Sequence, residues 1–340
     1  MAKRSIMHAE INADMLPEQH GGNLSGLTQR YPDAPRPLID LSTGINPYPY
    51  PLSLKEEWTH QLPDVIAMAE AQRAAAQYYN VNEIVLAPGM QPLIFALACL
   101  RLKEHGRSRI VIVSPTYAEH ARVWEDAGHE IIPATIEAVE GDVVILANPN
   151  NPDGRQVQPQ RLLAMAESLA ARNGWLIIDE SFTDLLPQLS MAAYVTKRPN
   201  IAVLRSCGKF FGVAGLRISG AAAPAEWMPW LRIALGPWPI STIACHILPQ
   251  MLKDTAWIDS TRRKLAEESA AWRNILAQYF TVIGHTPLFT LIETPEAERW
   301  HDYLASRGIL IRRFATQPNW LRFGLPMQSR IERLRTALCR

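Results

Sequence analysis

A series of short, nearly all-apolar runs limits what this chain can fold into. Arg109–Ser114 (RIVIVS), Asp142–Ala147 (DVVILA), Trp175–Asp179 (WLIID) and Ile201–Arg205 (IAVLR) are apolar almost throughout, and the shorter Ile84–Ala87 joins them. A strand with one wet face alternates apolar and polar residues. A strand covered on both faces has no need to. Helical patterns lie between the runs, at Ala67–Tyr79, Pro92–Leu102, Ala118–Ala127 and Gln160–Arg172, with a further strand-like segment at His129–Pro133. This alternation predicts an α/β domain over residues 49–230, with a mainly parallel central sheet flanked by helices.

Residues 231–340 read differently. A long amphipathic helix is expected over Thr255–Phe280, strands at Pro287–Glu293, Ile309–Phe314 and Trp320–Leu325, and helices at Pro295–Arg307, capped by Thr294, and Ser329–Cys339. These make a smaller C-terminal α+β domain. Residues 1–48, with HGGNLSG, YPDAPRP and STGINP, are rich in Gly, Pro and Asn and read as turns rather than helix or sheet. They form an N-terminal arm that also completes part of the small domain.

Composition narrows the function. The chain is 48% hydrophobic with a formal net charge of +1, which excludes wholesale disorder and gives no basic surface for nucleic acid. No apolar run reaches the ~20 residues of a membrane helix, and the first residues, MAKRSIMHAEINADM, lack the apolar block of a secretory leader. The four cysteines are scattered without a C-x-x-C, so reduced thiols in the cytoplasm are expected. The nine histidines form no ligand-like cluster, and no metal is expected.

In open α/β sheets, ligands sit beyond the carboxyl ends of the strands. Pro88-Gly89-Met90-Gln91-Pro92 follows the first run and opens a helix. Its free N–H groups suit a phosphate, although a plain strand-to-helix turn looks the same. Asp179 ends an apolar strand and needs a partner, either a helix start, a cation or a protonated ring nitrogen. Lys209, between small residues and Phe210-Phe211, is either an exposed loop lysine or an amine able to lose its proton and attack a carbonyl. Asn148–Gly154 (NPNNPDG) is turn chemistry first.

Taken in order, NPNNPDG, DESF and SCGKFFGVAGLR resemble the aminotransferase class I/II enzymes of fold type I, which use pyridoxal 5'-phosphate (PLP). HGGN at His20–Asn23, DLSTGINP at Asp40–Pro47, Phe182 where most aminotransferases carry Tyr, ILIR at Ile309–Arg312 and WLR at Trp320–Arg322 narrow the resemblance. They are similar to the threonine-phosphate decarboxylases of cobalamin biosynthesis. That resemblance implies a cytoplasmic homodimer acting on a phosphorylated amino acid. Lys209 would carry the cofactor, Asp179 would pair with its ring nitrogen, Asn151 would bond its 3-oxygen and Tyr117 would stack on its face. Gly89, Met90 and Gln91, with Ser206 and Arg217, would hold its phosphate. Arg322 would bind a substrate acid group, with Arg312, His20, Gly21, Gly22, Asn23, Asn46 and Asn151 beside it. Arg313 should point away from Arg312.

Two departures stand out. Relatives place Thr or Ser hydroxyls where Met90 and Gln91 stand, and a Tyr reaching across the dimer where this chain has Ala67. The same residues would also serve an aminotransferase for histidinol phosphate or a similar amine. A non-catalytic scaffold is the third alternative, and retention of Lys209, Asp179, Asn151 and Arg217 argues against it.

Overall fold

The computed structural model describes residues 20–339. The expectation about the leader, and the first part of the arm, fall outside them. The elements run α1 (Leu24–Arg30), β1 (Ile39–Leu41), α2 (Val65–Tyr79), β2 (Val85–Ala87), α3 (Met90–His105), β3 (Arg109–Val113), α4 (Glu119–Asp126), β4 (Glu130–Ala134), β5 (Val143–Ala147), α5 (Pro159–Ala170), β6 (Trp175–Asp179), β7 (Ile201–Ser206), the short α6 (Cys207–Phe210) and β8 (Ser219–Ala222). They continue as α7 (Met228–Leu235), α8 (Thr242–Lys253), α9 (Thr255–Leu276), β9 (Thr281–Thr286), β10 (Phe289–Glu293), α10 (Ala297–Ala305), β11 (Ile309–Phe314), β12 (Gln317–Gly324) and α11 (Ile331–Leu338).

Seven strands form one sheet in the order β2-β8-β7-β6-β5-β3-β4. β3 to β7 are mutually parallel, and β8 runs antiparallel to both β7 and β2. The sheet is apolar on both faces. Ile110, Ile112, Ile145, Ile177 and Leu204 pack with Leu93 and Leu97 of α3 and Leu231 of α7. Val111, Val144, Leu176, Ile178 and Val203 pack with Leu162, Ala166 and Leu169 of α5. Alternate residues thus enter different cores, which is why the runs lack a polar period.

The second sheet has the order β1-β11-β12-β10-β9, with β1 parallel to β11 and the other pairs antiparallel. Its core joins Phe289 and Phe323 to Trp272 and Leu265 of α9.

The arm departs from the turns-only reading. Asn23 Oδ1 accepts from Gly26 N–H at 2.9 Å and starts α1. Ile39–Leu41 adds a strand to the small sheet through Ile309–Ile311. Both elements are short, α1 set by a local cap and β1 by a strand distant in sequence, so the Gly/Pro-rich composition hides them. Two starts also shift. α3 begins at Met90 rather than Pro92. Thr294 does not cap α10, which starts at Ala297 after Glu296, while Thr294 Oγ1 accepts from the Glu296 N–H at 3.3 Å.

Candidate active site

The ladder aligns Ala147 with Asp179 and Asp179 with Leu204, so β5, β6 and β7 end together. The Asn148–Gly154 loop, Asp179 and Lys209 therefore meet at one edge. The loop is held against β9 of the second sheet by close backbone passage. A Cβ on Gly154 would lie 2.0 Å from the His285 carbonyl oxygen, and one on Gly284 1.9 Å from that of Asp153. Inside the loop, Asn148 bonds the Val157 backbone through both ends of its amide, at 2.9 Å each.

Asp179 is buried and its two oxygens are separately held. Oδ2 lies 3.0 Å from His120 Nε2, and Oδ1 accepts from Ser181 N–H at 2.9 Å and Ser181 Oγ at 2.5 Å. Burial pushes this carboxyl up, but the His120 and Ser181 bonds outweigh it and hold it below the usual carboxylate range. The sequence reading missed His120. Its signal is spacing: it stands one helical turn beyond Tyr117 at the start of α4, and the two rings meet edge-to-face at 5.8 Å. The Tyr117 hydroxyl is pushed up to about 12, mainly by burial and then by Glu119 and Asp179.

Lys209 lies in α6 with its Nζ 5.9 Å from the Phe182 ring centre. Burial, together with the positive charges of Arg322 and Arg217, pulls its amine down to about 8, with Asp179 opposing them. Gly89 has φ +101, a left-handed value that suits glycine, and an added Cβ would lie 2.4 Å from an Arg217 guanidinium nitrogen. Arg217 itself has φ +53. The helix start and this arginine thus form one cup, with Ser206 at the end of β7 beside them. Met90 packs against the core. Gln91 Nε2 donates to Glu119, which also takes two bonds from Arg122 and lies 3.3 Å from His20 Nε2. Glu119 was not foreseen either.

From the small sheet, Arg312 and Arg322 are direct cross-strand partners, so both side chains share a face. Arg322 is buried, donating to Asn151 Oδ1 and, at 2.7 Å, to the Ser42 carbonyl. Its Nε has no hydrogen-bond partner among the described residues, and no carboxylate there lies within ion-pair distance. Burial and the like charge of Arg312 lower it to about 9. Arg313 points to the other face and pairs with Glu298 of α10 at 2.8 Å. Gly22 N–H donates to Ser42 Oγ at 2.7 Å, which brings Gly21 and Gly22 alongside the Arg322 contact. Asn23 is occupied capping α1. Asn46 differs from the expected substrate contact. Its amide donates to the Phe210 carbonyl and accepts from Tyr48 N–H, both at 2.8 Å, so it braces the lysine's helix from behind.

The arrangement brings together an amine of lowered basicity, an ionised carboxylate, the helix start packed on Arg217, and the cross-strand pair Arg312 and Arg322. A family model for class I and II aminotransferases matches residues 36–338. The threonine-phosphate decarboxylase of Pseudomonas aeruginosa is 39% identical over 316 residues, covering 91% of this chain and 93% of that protein. The enzyme of that name from a Sinorhizobium species is 39% identical over 334 residues, covering 95% and 98%. A histidinol-phosphate aminotransferase of Lactiplantibacillus plantarum reaches 26%, over 84% of this chain and 86% of its own. Among solved structures, the histidinol-phosphate aminotransferase of Sinorhizobium meliloti in complex with PLP superposes with a TM-score of 0.78 at 18% identity, covering 93% and 94% of the two chains. Fold, motif order and sequence similarity agree: the chain belongs to the class I and II aminotransferase family.

Proposed function

We propose that this chain is a PLP-dependent carboxy-lyase. It converts L-threonine O-3-phosphate to (R)-1-amino-2-propanol O-2-phosphate and CO₂, as a step of cobalamin biosynthesis. The observation that carries this choice over an aminotransferase is the identity to threonine-phosphate decarboxylases across nine-tenths of the chain, well above that to the histidinol-phosphate enzyme.

The donor set fits the cofactor. The backbone N–H groups at Met90 and Gln91, with Arg217 and Ser206, suit its phosphate, since a helix start and a guanidinium both favour an anion. Asn151 gives its oxygen to Arg322 and keeps amide donors for the 3-oxygen. Tyr117 supplies an aromatic face. When bound, PLP supplies an electron sink for the pair left on Cα as the carboxylate departs.

The residues do the rest. Asp179, held ionised by His120 and Ser181, keeps a proton at the ring nitrogen. Lys209, at about 8, is an amine that carries a proton to Cα near neutral pH. Arg322 receives one acid group of the substrate as a two-pronged donor, and Arg312 reinforces it from the neighbouring strand. His20 stands at the mouth, beside Tyr117. A substrate with both carboxylate and phosphate matches two arginines set opposite each other on one sheet face.

The test is CO₂ release from threonine phosphate with no keto acid present, run beside serine phosphate and histidinol phosphate. Turnover only with 2-oxoglutarate would overturn the lyase reading in favour of an aminotransferase.

The active unit is a homodimer. Val65 and Ile66 at the start of α2, Ile233 of α7 and Trp238 are each more than half exposed, beside a groove lined by Met68, Leu86 and Pro237. A second copy would cover this surface. Light scattering of wild type and Ile233→Asp tests it, and a monomeric wild type would reject it. The four free cysteines suit the cytoplasm. No helix among the described residues is long and apolar enough to cross a membrane.

A further inference from the structure

We propose that Arg205, held between Glu180 and Asp184, is a positioning residue that fixes the carboxyl ends of β6 and β7, so that Asp179 and Lys209 keep their mutual geometry. The proposal rests on the PLP reading above and concerns side chains that reading leaves unused.

The three charges are almost fully buried, at 4% exposure for Arg205, 0% for Glu180 and 1% for Asp184. One guanidinium nitrogen of Arg205 donates to Glu180 Oε2, and the other to Asp184 Oδ1 at 2.6 Å. Glu180 also accepts from Met191 N–H at 2.5 Å and Ser190 Oγ at 2.7 Å. The guanidinium lies 4.2 Å from the Tyr79 ring centre, and the Tyr79 hydroxyl meets Cys207 Sγ at 3.5 Å. Arg262 of α9 donates to the Asp184 carbonyl at 2.7 Å, which extends the cluster to the small domain's long helix.

The register gives the cluster its purpose. Asp179 faces Leu204 in the ladder, so Glu180 stands level with Arg205, and Glu180 N–H bonds the Leu204 carbonyl at 2.8 Å. Successive residues alternate faces, so Glu180 and Arg205 lie behind the sheet face that presents Asp179. The bridge therefore spans the two strand ends from the far side. One end is a single residue from Asp179, and the other is followed by Ser206, Cys207 and Lys209.

Stability is a poor explanation for such a cluster. Desolvating three charges offsets most of their attraction, and apolar groups of similar volume usually serve a fold as well. What the planar fork supplies is a fixed distance and angle between two carboxylates. Catalysis depends on such placement, and a shift of about 1 Å in a reacting group can lower turnover roughly 100-fold.

The experiment uses the neutral triple variant E180Q/D184N/R205M and the single variant Arg205→Lys. Thermal unfolding of the apo-proteins, cofactor affinity from tryptophan quenching, the visible absorbance of the bound cofactor, and kcat and KM are measured. The substrate is whichever amino acid the wild type turns over, so a wrong substrate assignment shows in the wild type alone. The triple variant should unfold within a few degrees of wild type. Its absorbance should shift with pH differently from wild type, and its kcat should fall about tenfold or more with KM within about twofold. Arg205→Lys, which keeps the charge and loses the fork, should fall between the two. A folded triple variant with wild-type absorbance and kcat would overturn the proposal. So would a triple variant that fails to fold, since the cluster would then be a stabilising element. Full turnover in Arg205→Lys would also overturn it, because charge alone would suffice.

Discussion

Replacing Arg322 by methionine should move fold stability and substrate affinity in opposite directions. Arg322 is buried with no carboxylate within ion-pair distance among the described residues, Asp40 acting on it only from farther off, and it shares a strand pair with Arg312. Burial and that like charge lower its pKa from the ordinary 12.5 to about 9, equivalent to several kcal/mol against the charged form. At neutral pH the side chain is still charged, so the free protein carries this penalty. Opposing it are the bonds to Asn151 and Ser42, worth about 1 kcal/mol each. The difference leaves Arg322→Met more stable than wild type by about 2 kcal/mol, since methionine conserves much of the volume and removes the charge. The substrate's acid group supplies the missing counter-charge, so its loss should raise KM by about 30-fold or more. Urea unfolding of the two apo-proteins, followed by tryptophan fluorescence, measures the first effect, and steady-state decarboxylation measures the second. An Arg322→Met protein that is less stable than wild type by 2 kcal/mol would refute the reasoning. It would mean that the fold, and not the ligand, neutralises this arginine.

Other outcomes follow from the same geometry. Asp179→Asn should leave apo-protein unfolding nearly unchanged and cut kcat by about 100-fold or more, because an amide cannot hold a proton at the ring nitrogen; near-normal turnover would remove Asp179 from the mechanism. The reaction of apo-protein with a carbonyl reagent should titrate with a midpoint near the value of about 8 set for Lys209 by burial and its arginine neighbours, and a midpoint above 10 would contradict that environment. The lowered Lys209 pKa also destabilises the fold wherever the amine is charged, so Lys209→Met should gain stability over wild type below pH 8 and lose that advantage as pH rises through it. Gly89→Ala places a methyl 2.4 Å from Arg217 at a left-handed φ, so cofactor affinity should fall about tenfold; unchanged affinity in a titration of the apo-protein would show that the cup does not need that contact.

The parallel sheet was legible because burial on both faces writes itself into composition. Residues 143–146 and 175–178 are apolar at every step and enter two different cores in turn. The carboxyl ends of the strands pointed to Asp179 after β6 and Lys209 after β7 as residues to weigh, and their roles came only from the family resemblance. The second sheet was legible in most of its strands and not in its assembly. β1 is only Ile39–Leu41, set between prolines and a Ser-Thr-Gly turn, and nothing local marks it as the parallel partner of Ile309–Ile311. The surroundings of Asn46 were hidden for a related reason: its amide donates to the Phe210 carbonyl of the lysine's helix, a partner far away in sequence, and accepts from Tyr48 N–H within the arm.

The same limit explains why the anion site was only half visible. Reading along β11, Arg312 and Arg313 are equivalent charges, and alternation says only that one faces inward. The assignment comes from long-range pairing. The ladder sets Arg312 opposite Arg322, while Glu298 on α10 neutralises Arg313. The like charge of Arg312 adds to the desolvation of Arg322, and the Asp40 carboxylate offsets the two only in part. A net charge of +1 therefore says little about this chain's affinity for anions. That affinity is concentrated in arginines placed by strand register: Arg322 has no carboxylate within ion-pair distance among the described residues, whereas Arg205, which braces the strand ends, has two.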